Sequence, residues 1–176
     1  MVTWTIGSGG LIGSAINARS PHSFTGPSIP WAEPDAAKQA LSRGLDGFAA
    51  AAAGEPWSIV WAAGAGTTAS PPEAFEPELD TFSFFLDQLR LQAPSGSGVF
   101  GLISSAGGIH AGSPHPPFTS ETEPAPISAY GRAKLRQEQL LAQVLGQDVP
   151  SIVFRVSNAY GPGQNLDKLQ GLVSRL

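Results

Sequence analysis

The chain opens with Val2-Thr3-Trp4-Thr5-Ile6 and runs directly into Gly7-Ser8-Gly9-Gly10-Leu11-Ile12-Gly13. This junction constrains the fold more than any other stretch. Val2 to Ile6 reads as a short, fully buried strand, and a helical stretch follows the glycines to about Ala18. Glycine permits a tight turn and a close backbone approach. A helix N-terminus behind it supplies unpaired N–H groups and partial positive charge, which together suit a phosphate diester. The glycines read either as G-x-G-x-x-x-G or, through Gly7, Gly10 and Gly13, as G-x-x-G-x-x-G. Neither is the common dinucleotide spacing. A glycine-rich turn with no ligand is the plain alternative; the place directly after the first strand favours nucleotide binding.

With 176 residues there is room for one domain, 1–176, with a real core. Hydrophobic residues make up 41% and charged residues 14%, a globular composition. The net charge is -4 with no basic stripe, which argues against nucleic acid as a partner. The absence of Cys excludes disulfides and thiol chemistry. Met1-Val2-Thr3-Trp4 has no basic n-region, and no apolar run reaches membrane-spanning length. The expectation is a cytoplasmic protein without a membrane partner.

His22 to Thr25 reads as a second strand, and Ser28 to Trp31 as another extended piece after the Gly26-Pro27 turn. Parallel neighbours need a crossover of about a dozen residues. Either one of these segments lies outside the sheet, or a strand–helix unit is abbreviated. No acid stands at Thr25 to Ser28 to hold a ribose 2′-hydroxyl. Glu33 and Asp35 follow, and Asp35 is expected as the cap of a helix running to Ala53. Trp57 to Ala63 reads as a central parallel strand with Gly64-Ala65-Gly66 at its carboxyl end, where ligands bind in open α/β sheets. No P-loop lysine follows, which disfavours an NTPase. A helix is expected from about Glu73 to Leu91, a strand from Val99 to Ser104, another from Ser151 to Val156 and a helix over 166–176. His110 to Pro117 is a proline-rich excursion. Its two histidines lack a nearby third ligand, so a metal site is rejected.

Ser128 precedes a helix that carries Tyr130 and Lys134 to about Leu145. Four residues apart, the two side chains share one helix face. A free phenol, with a pKa near ~10, is a poor base at neutral pH. A lysine ammonium beside it favours the phenolate, so the pair can serve as a proton-transfer device. On spacing alone, an exposed aromatic beside a solvated lysine is the commoner outcome.

Taken together, these segments resemble the extended short-chain dehydrogenase/reductase family, in its NAD-dependent epimerase/dehydratase branch. Gly7, Gly10 and Gly13 match its glycine motif. Ala62-Ala63 match the alanine pair after its fourth strand, and Ser104-Ser105-Ala106 its serine strand end. Ser128-Ala129-Tyr130-Gly131-Arg132-Ala133-Lys134 match its Tyr-x-x-x-Lys signature. Arg155-Val156-Ser157-Asn158-Ala159-Tyr160-Gly161-Pro162-Gly163-Gln164 match its sixth strand and the turn beyond. The resemblance covers nearly the whole chain and implies a Rossmann-like, doubly wound parallel sheet with helices on both faces, abbreviated around strands 2–3.

It also implies NAD or NADP as cofactor, NAD by preference, held by Gly7, Gly10, Leu11, Ile12, Gly13, Ala62, Ala63, Gly64, Tyr130 and Lys134. Tyr130, Lys134 and Ser105 would be catalytic. Ser105, Ala106 and Asn158 would face a small-molecule substrate such as a nucleotide sugar, and a homodimer is the assembly to consider. The serine register is open: counting from the strand gives Ser105, with Ser104 second, and counting back from His110 gives Ala106. Arg155 is either a ligand or half of a structural pair, and Arg19 is a candidate for a 2′-phosphate. Family members are longer, with a C-terminal substrate lobe, so this stretch is expected to be incomplete as a catalyst. A non-catalytic dinucleotide-binding module or redox sensor is the rival reading.

Overall fold

The structure, a computed structural model, describes residues 1–164. The strands are β1 (Val2–Ile6), β2 (Ser23–Phe24), β3 (Trp57–Trp61), β4 (Gly98–Ser105) and β5 (Ser151–Val156). The helices are α1 (Leu11–Arg19), α2 (Pro34–Ala52), α3 (Glu76–Leu91), α4 (Ala106–Ile109) and α5 (Ala129–Val144), with a 3-10 turn over Pro72–Phe75 before α3. All strands pair in parallel in the order β2-β1-β3-β4-β5, a Rossmann-like sheet.

Strand order reverses at β1. The chain moves outward through α1 to β2 and then back through α2 to β3, so right-handed crossovers put α1 and α2 on opposite faces. α3 and α5 continue in the same direction, α3 packing beside α2 and α5 beside α3. The strand side chains follow this division. Trp4, Ile6, Trp57, Ile59, Trp61, Phe100 and Leu102 point into the core beneath α2, α3 and α5, where they meet Leu45, Phe48, Phe82, Phe85 and Leu86. The face of α1 carries Thr3 and Ser58, whose hydroxyls share a 2.8 Å hydrogen bond.

The abbreviation lies between β2 and α2. β2 has two residues, and Ser28 to Trp31 forms no strand, so a whole strand–helix unit is missing. Two local expectations change. Asp35 sits in the first turn of α2 and does not cap it; Glu33 holds the cap position without a side-chain hydrogen bond, and Pro34 starts the helix. β3 ends at Trp61, which leaves Ala62 and Ala63 in the loop beyond. The proposed helix over 166–176 lies outside the described residues.

Candidate active site

The carboxyl ends of the parallel strands lie along one edge of the sheet. At the first, Gly7 has φ +89, a left-handed backbone that glycine adopts without strain. A Cβ on Gly7 would lie 2.6 Å from the Ala63 nitrogen and 2.7 Å from the Ala62 carbonyl carbon. The turn is thus pressed against the end of β3, which brings Ala62 and Ala63 to the glycine motif. A Cβ on Gly13 would collide with the Gly7 carbonyl oxygen, so the first turn of α1 also needs glycine for its approach.

Gly9 and Gly10 are different. Nothing lies within 4 Å of a Cβ on Gly9, and the nearest atom to one on Gly10 is the Gly7 oxygen at 3.5 Å. These two face open space. Gly10 is the N-cap of α1 and offers no side chain to it. The first amides of a helix, here those of Leu11, Ile12 and Gly13, have no intrahelical partner. This open, uncapped, glycine-lined helix start fits the pyrophosphate of a dinucleotide. Arg19, in the last turn of α1, donates to its own helix at Ala15 O over 3.3 Å.

The second end is β4. Ser105 closes the strand and caps α4, its Oγ accepting from the Gly108 amide at 3.1 Å. A hydroxyl that accepts this bond still has its own proton to donate. Ser104, one residue earlier, points to the opposite face and donates to Glu138 Oε1 at 2.6 Å. The two serines therefore have separate surroundings, and Ser105 is the one beside Tyr130. Ala106 begins α4.

Tyr130 and Lys134 lie on α5, whose start is set by Ser128, a side-chain cap accepting from the Gly131 amide at 3.0 Å. The half-buried Tyr130 ring packs over Gly108: a Cβ there would meet Tyr130 Cδ1 and Cε1 at 3.1 Å and Ser105 Oγ at 3.2 Å. Gly108 is thus the floor on which phenol and serine come together. Gly131 makes the approach possible, because a Cβ on it would strike the Gly108 carbonyl oxygen and lie 3.0 Å from Pro126 Cβ. Gly131→Ala should gain at most about 1 kcal/mol of helix propensity and lose about 1–3 kcal/mol to the clash. A net fall in denaturant midpoint is expected, with Tyr130 displaced from Ser105.

Lys134 is buried beside them, its Nζ 5.9 Å from the Tyr130 ring centroid and 3.0 Å from Gln137 Oε1, to which it donates. Burial lowers its pKa from the ordinary lysine value, and the Glu78 carboxylate works against that shift. Gly64 stands above this group: a Cβ there would lie 3.1 Å from Glu78 Oε1 and 3.4 Å from Lys134 Nζ.

The third end is β5. Arg155 pairs with Glu138 through Nη2 at 2.7 Å and Nε at 3.1 Å, and its Nη1 lies 3.2 Å from His110 Nε2. Hydrogen bonds to Glu138 hold the guanidinium pKa above its usual value. Since arginine only donates, His110 Nε2 accepts, which leaves Nδ1–H to donate to Ser113 Oγ at 3.2 Å. Arg155 is thus tied into a structural network. Asn158 lies just past the strand and is exposed. Among the described residues, no group of three or more His, Cys, Asp or Glu could hold a metal ion, and no helix is long and apolar enough to cross a membrane.

Sequence reasoning missed Glu78, Gln137 and Glu138. Gln137 was accessible in principle, three residues after Lys134 on the same helix face. Glu78 and Glu138 reach their partners only through tertiary packing.

The comparisons with known proteins agree with this fold. The structure of UDP-glucose 4-epimerase from Thermotoga maritima with UDP-glucose is similar to this one at a TM-score of 0.76 and 20% identity, over 99% of this chain and 61% of that one. RMD from Pseudomonas aeruginosa complexed with NADPH is similar at a TM-score of 0.67 and 24% identity, over 96% of this chain and 58% of that one. At these identities the likeness shows the fold. In sequence, a 52-residue stretch is 46% identical to dTDP-L-rhamnose 4-epimerase of Burkholderia thailandensis, over 29% of this chain and 14% of that protein. The chain therefore spans about three fifths of the structures it resembles and a smaller part of the sequence relative. Residues 64–176, more than half of the chain, match the sequence profile of a single family. The chain belongs to the NAD dependent epimerase/dehydratase family.

Proposed function

We propose that this chain binds NAD or NADP along the Gly7–Gly13 turn and carries the proton-transfer residues of an epimerase, dehydratase or reductase. Its substrate would be a nucleotide sugar or a related hydroxyl or carbonyl compound. The observation that carries the reading is the meeting of Tyr130 and Ser105 over Gly108, on the sheet edge that also holds the glycine turn and Lys134. Family membership supports the cofactor and the reaction class. Similar structures that hold NAD, NADPH or UDP-glucose support the choice of ligands.

The cofactor would be held by Gly7, Gly10, Leu11, Ile12 and Gly13 at its pyrophosphate, with Ala62, Ala63, Gly64, Tyr130 and Lys134 alongside, and would supply the hydride acceptor. Tyr130 Oη removes the proton from a substrate hydroxyl. Ser105, whose Oγ lone pair is occupied by the Gly108 amide, donates its proton to the reacting oxygen and orients it. Lys134 stabilises the Tyr130 phenolate by its charge. Asn158 and Ala106 would face the substrate, and pairing of two chains is compatible with the fold. A cytoplasmic location suits this chemistry.

The test is turnover of the native gene product with a panel of nucleotide sugars and either cofactor. Isomerised, dehydrated or reduced sugar is the expected product. Tight dinucleotide binding with no turnover of any member would favour the non-catalytic module.

A further inference from the structure

Lys134 is only 8% exposed, yet it carries an ammonium group, and burying a charge is costly unless it is paired. Its direct hydrogen bond goes to a neutral amide, Gln137 Oε1, at 3.0 Å. Gln137, 1% exposed, donates from the other end of that amide to Glu78 Oε1 at 3.1 Å. The amide is thus oriented by its neighbours, oxygen toward the ammonium and nitrogen toward the carboxylate. The outer ends of the relay both lie beneath Gly64, where the lack of a side chain leaves them room.

We propose that Glu78 is a positioning residue for Lys134, its carboxylate acting through the Gln137 amide to keep the lysine charged and turned toward Gly64. The proposal rests on the reading of Tyr130 and Lys134 as the proton-transfer pair, and gives that pair a counter-charge from α3.

Among the described residues, no other acid competes for this role. On α5, Glu138 is engaged by Ser104 and Arg155. Arg132 and Arg136 are exposed, with Arg132 bonded to Ile127 O. The Tyr130 phenol is the remaining titratable group on the Lys134 face. From the 3-10 turn, Glu73 is exposed, and Glu76 at the start of α3 faces the groove lined by Arg132 and Arg136. β4 and α4 contribute the neutral Ser105 hydroxyl. The opposing effects on Lys134 match this arrangement: desolvation lowers its pKa and Glu78 raises it.

The test needs neither substrate nor cofactor. The chain has three lysines, Lys38, Lys134 and Lys168. Protein labelled with 13C at lysine Cε gives a tractable proton–carbon spectrum, with Lys134 assigned by loss of its signal in Lys134→Arg. In wild type, the Lys134 midpoint should lie below the free value of 10.5. Glu78→Gln keeps the shape and an acceptor for Gln137 but removes the charge, and should move the midpoint to lower pH. Glu78→Ala, checked for fold by circular dichroism, should move it the same way. An unmoved or raised midpoint in either folded variant overturns the proposal. Failure of the catalytic reading would appear separately, as retained turnover in Tyr130→Phe, and leaves this titration unaffected.

Discussion

Tyr130→Phe is expected to lower turnover by about 10²–10⁴-fold, the usual worth of a positioned acid–base group. On the barrier this is about 3–5 kcal/mol. The substitution removes one hydroxyl and keeps the ring that packs over Gly108 and lies 6.4 Å from Phe75 between centroids. Thermal stability and dinucleotide affinity should therefore stay near wild type. Lys134→Ala should act otherwise, weakening cofactor binding and moving the pH optimum upward, because the ammonium that favours the phenolate is gone. Steady-state rates over a pH series, with isothermal calorimetry for the cofactor, check both. Turnover within a factor of a few of wild type in Tyr130→Phe would remove the tyrosine from the chemistry.

Gly10→Asp should separate stability from binding. Gly10 has φ -83 and ψ 166, ordinary extended geometry for any residue, and a Cβ there meets its nearest atom at 3.5 Å. It occupies the N-cap of α1, where aspartate is among the best residues and exceeds glycine by a few tenths of a kcal/mol. The folded chain should be as stable as wild type or slightly more so. The same carboxylate would occupy the helix start with its negative charge, against the phosphates of a dinucleotide. Calorimetry should then detect no NAD or NADP binding at concentrations that saturate wild type. Unchanged affinity for both cofactors would take the glycine turn out of the site, whereas a collapse of the fold would contradict the open space at Gly10.

Those features of the site that depend on neighbouring residues were legible in the sequence. Ser128 caps α5 at the point where its polar side chain precedes a helical pattern, and the Gly7–Gly13 turn opens α1 as its composition requires. The serine register stayed open in the sequence: strand alternation puts Ser104 and Ser105 on opposite sides of the sheet, but only the packing of Tyr130 over Gly108 brings Ser105 to the phenol. The Ser104–Glu138–Arg155–His110 network was not legible. Its links span 34, 17 and 45 residues in sequence, and no local periodicity encodes them. The same holds for Glu78, which lies 59 residues before Gln137. Around β2, turn chemistry signalled an abbreviation but not its extent, since an extended Ser28 to Trp31 is compatible with either a strand or a loop. At α2, Pro34 at the first helical position took precedence over Asp35 as the start signal.

The two borders of the sheet present unequal hazards. β2 is two residues long and gives an incoming strand almost nothing to pair with. β5 is six residues long, pairs with β4 on one side, and has no neighbour on the other among the described residues. Ile152, Val153 and Phe154 are 49%, 38% and 46% exposed, consecutive and uncharged. Pro150 precedes the strand and Arg155 near its end is drawn inward to Glu138, but the stretch between them carries no charge or proline to blunt self-association. Precipitation of this chain at high concentration should therefore start at β5, and a lysine introduced at Ile152 should improve its solubility while leaving the opposite edge of the sheet untouched.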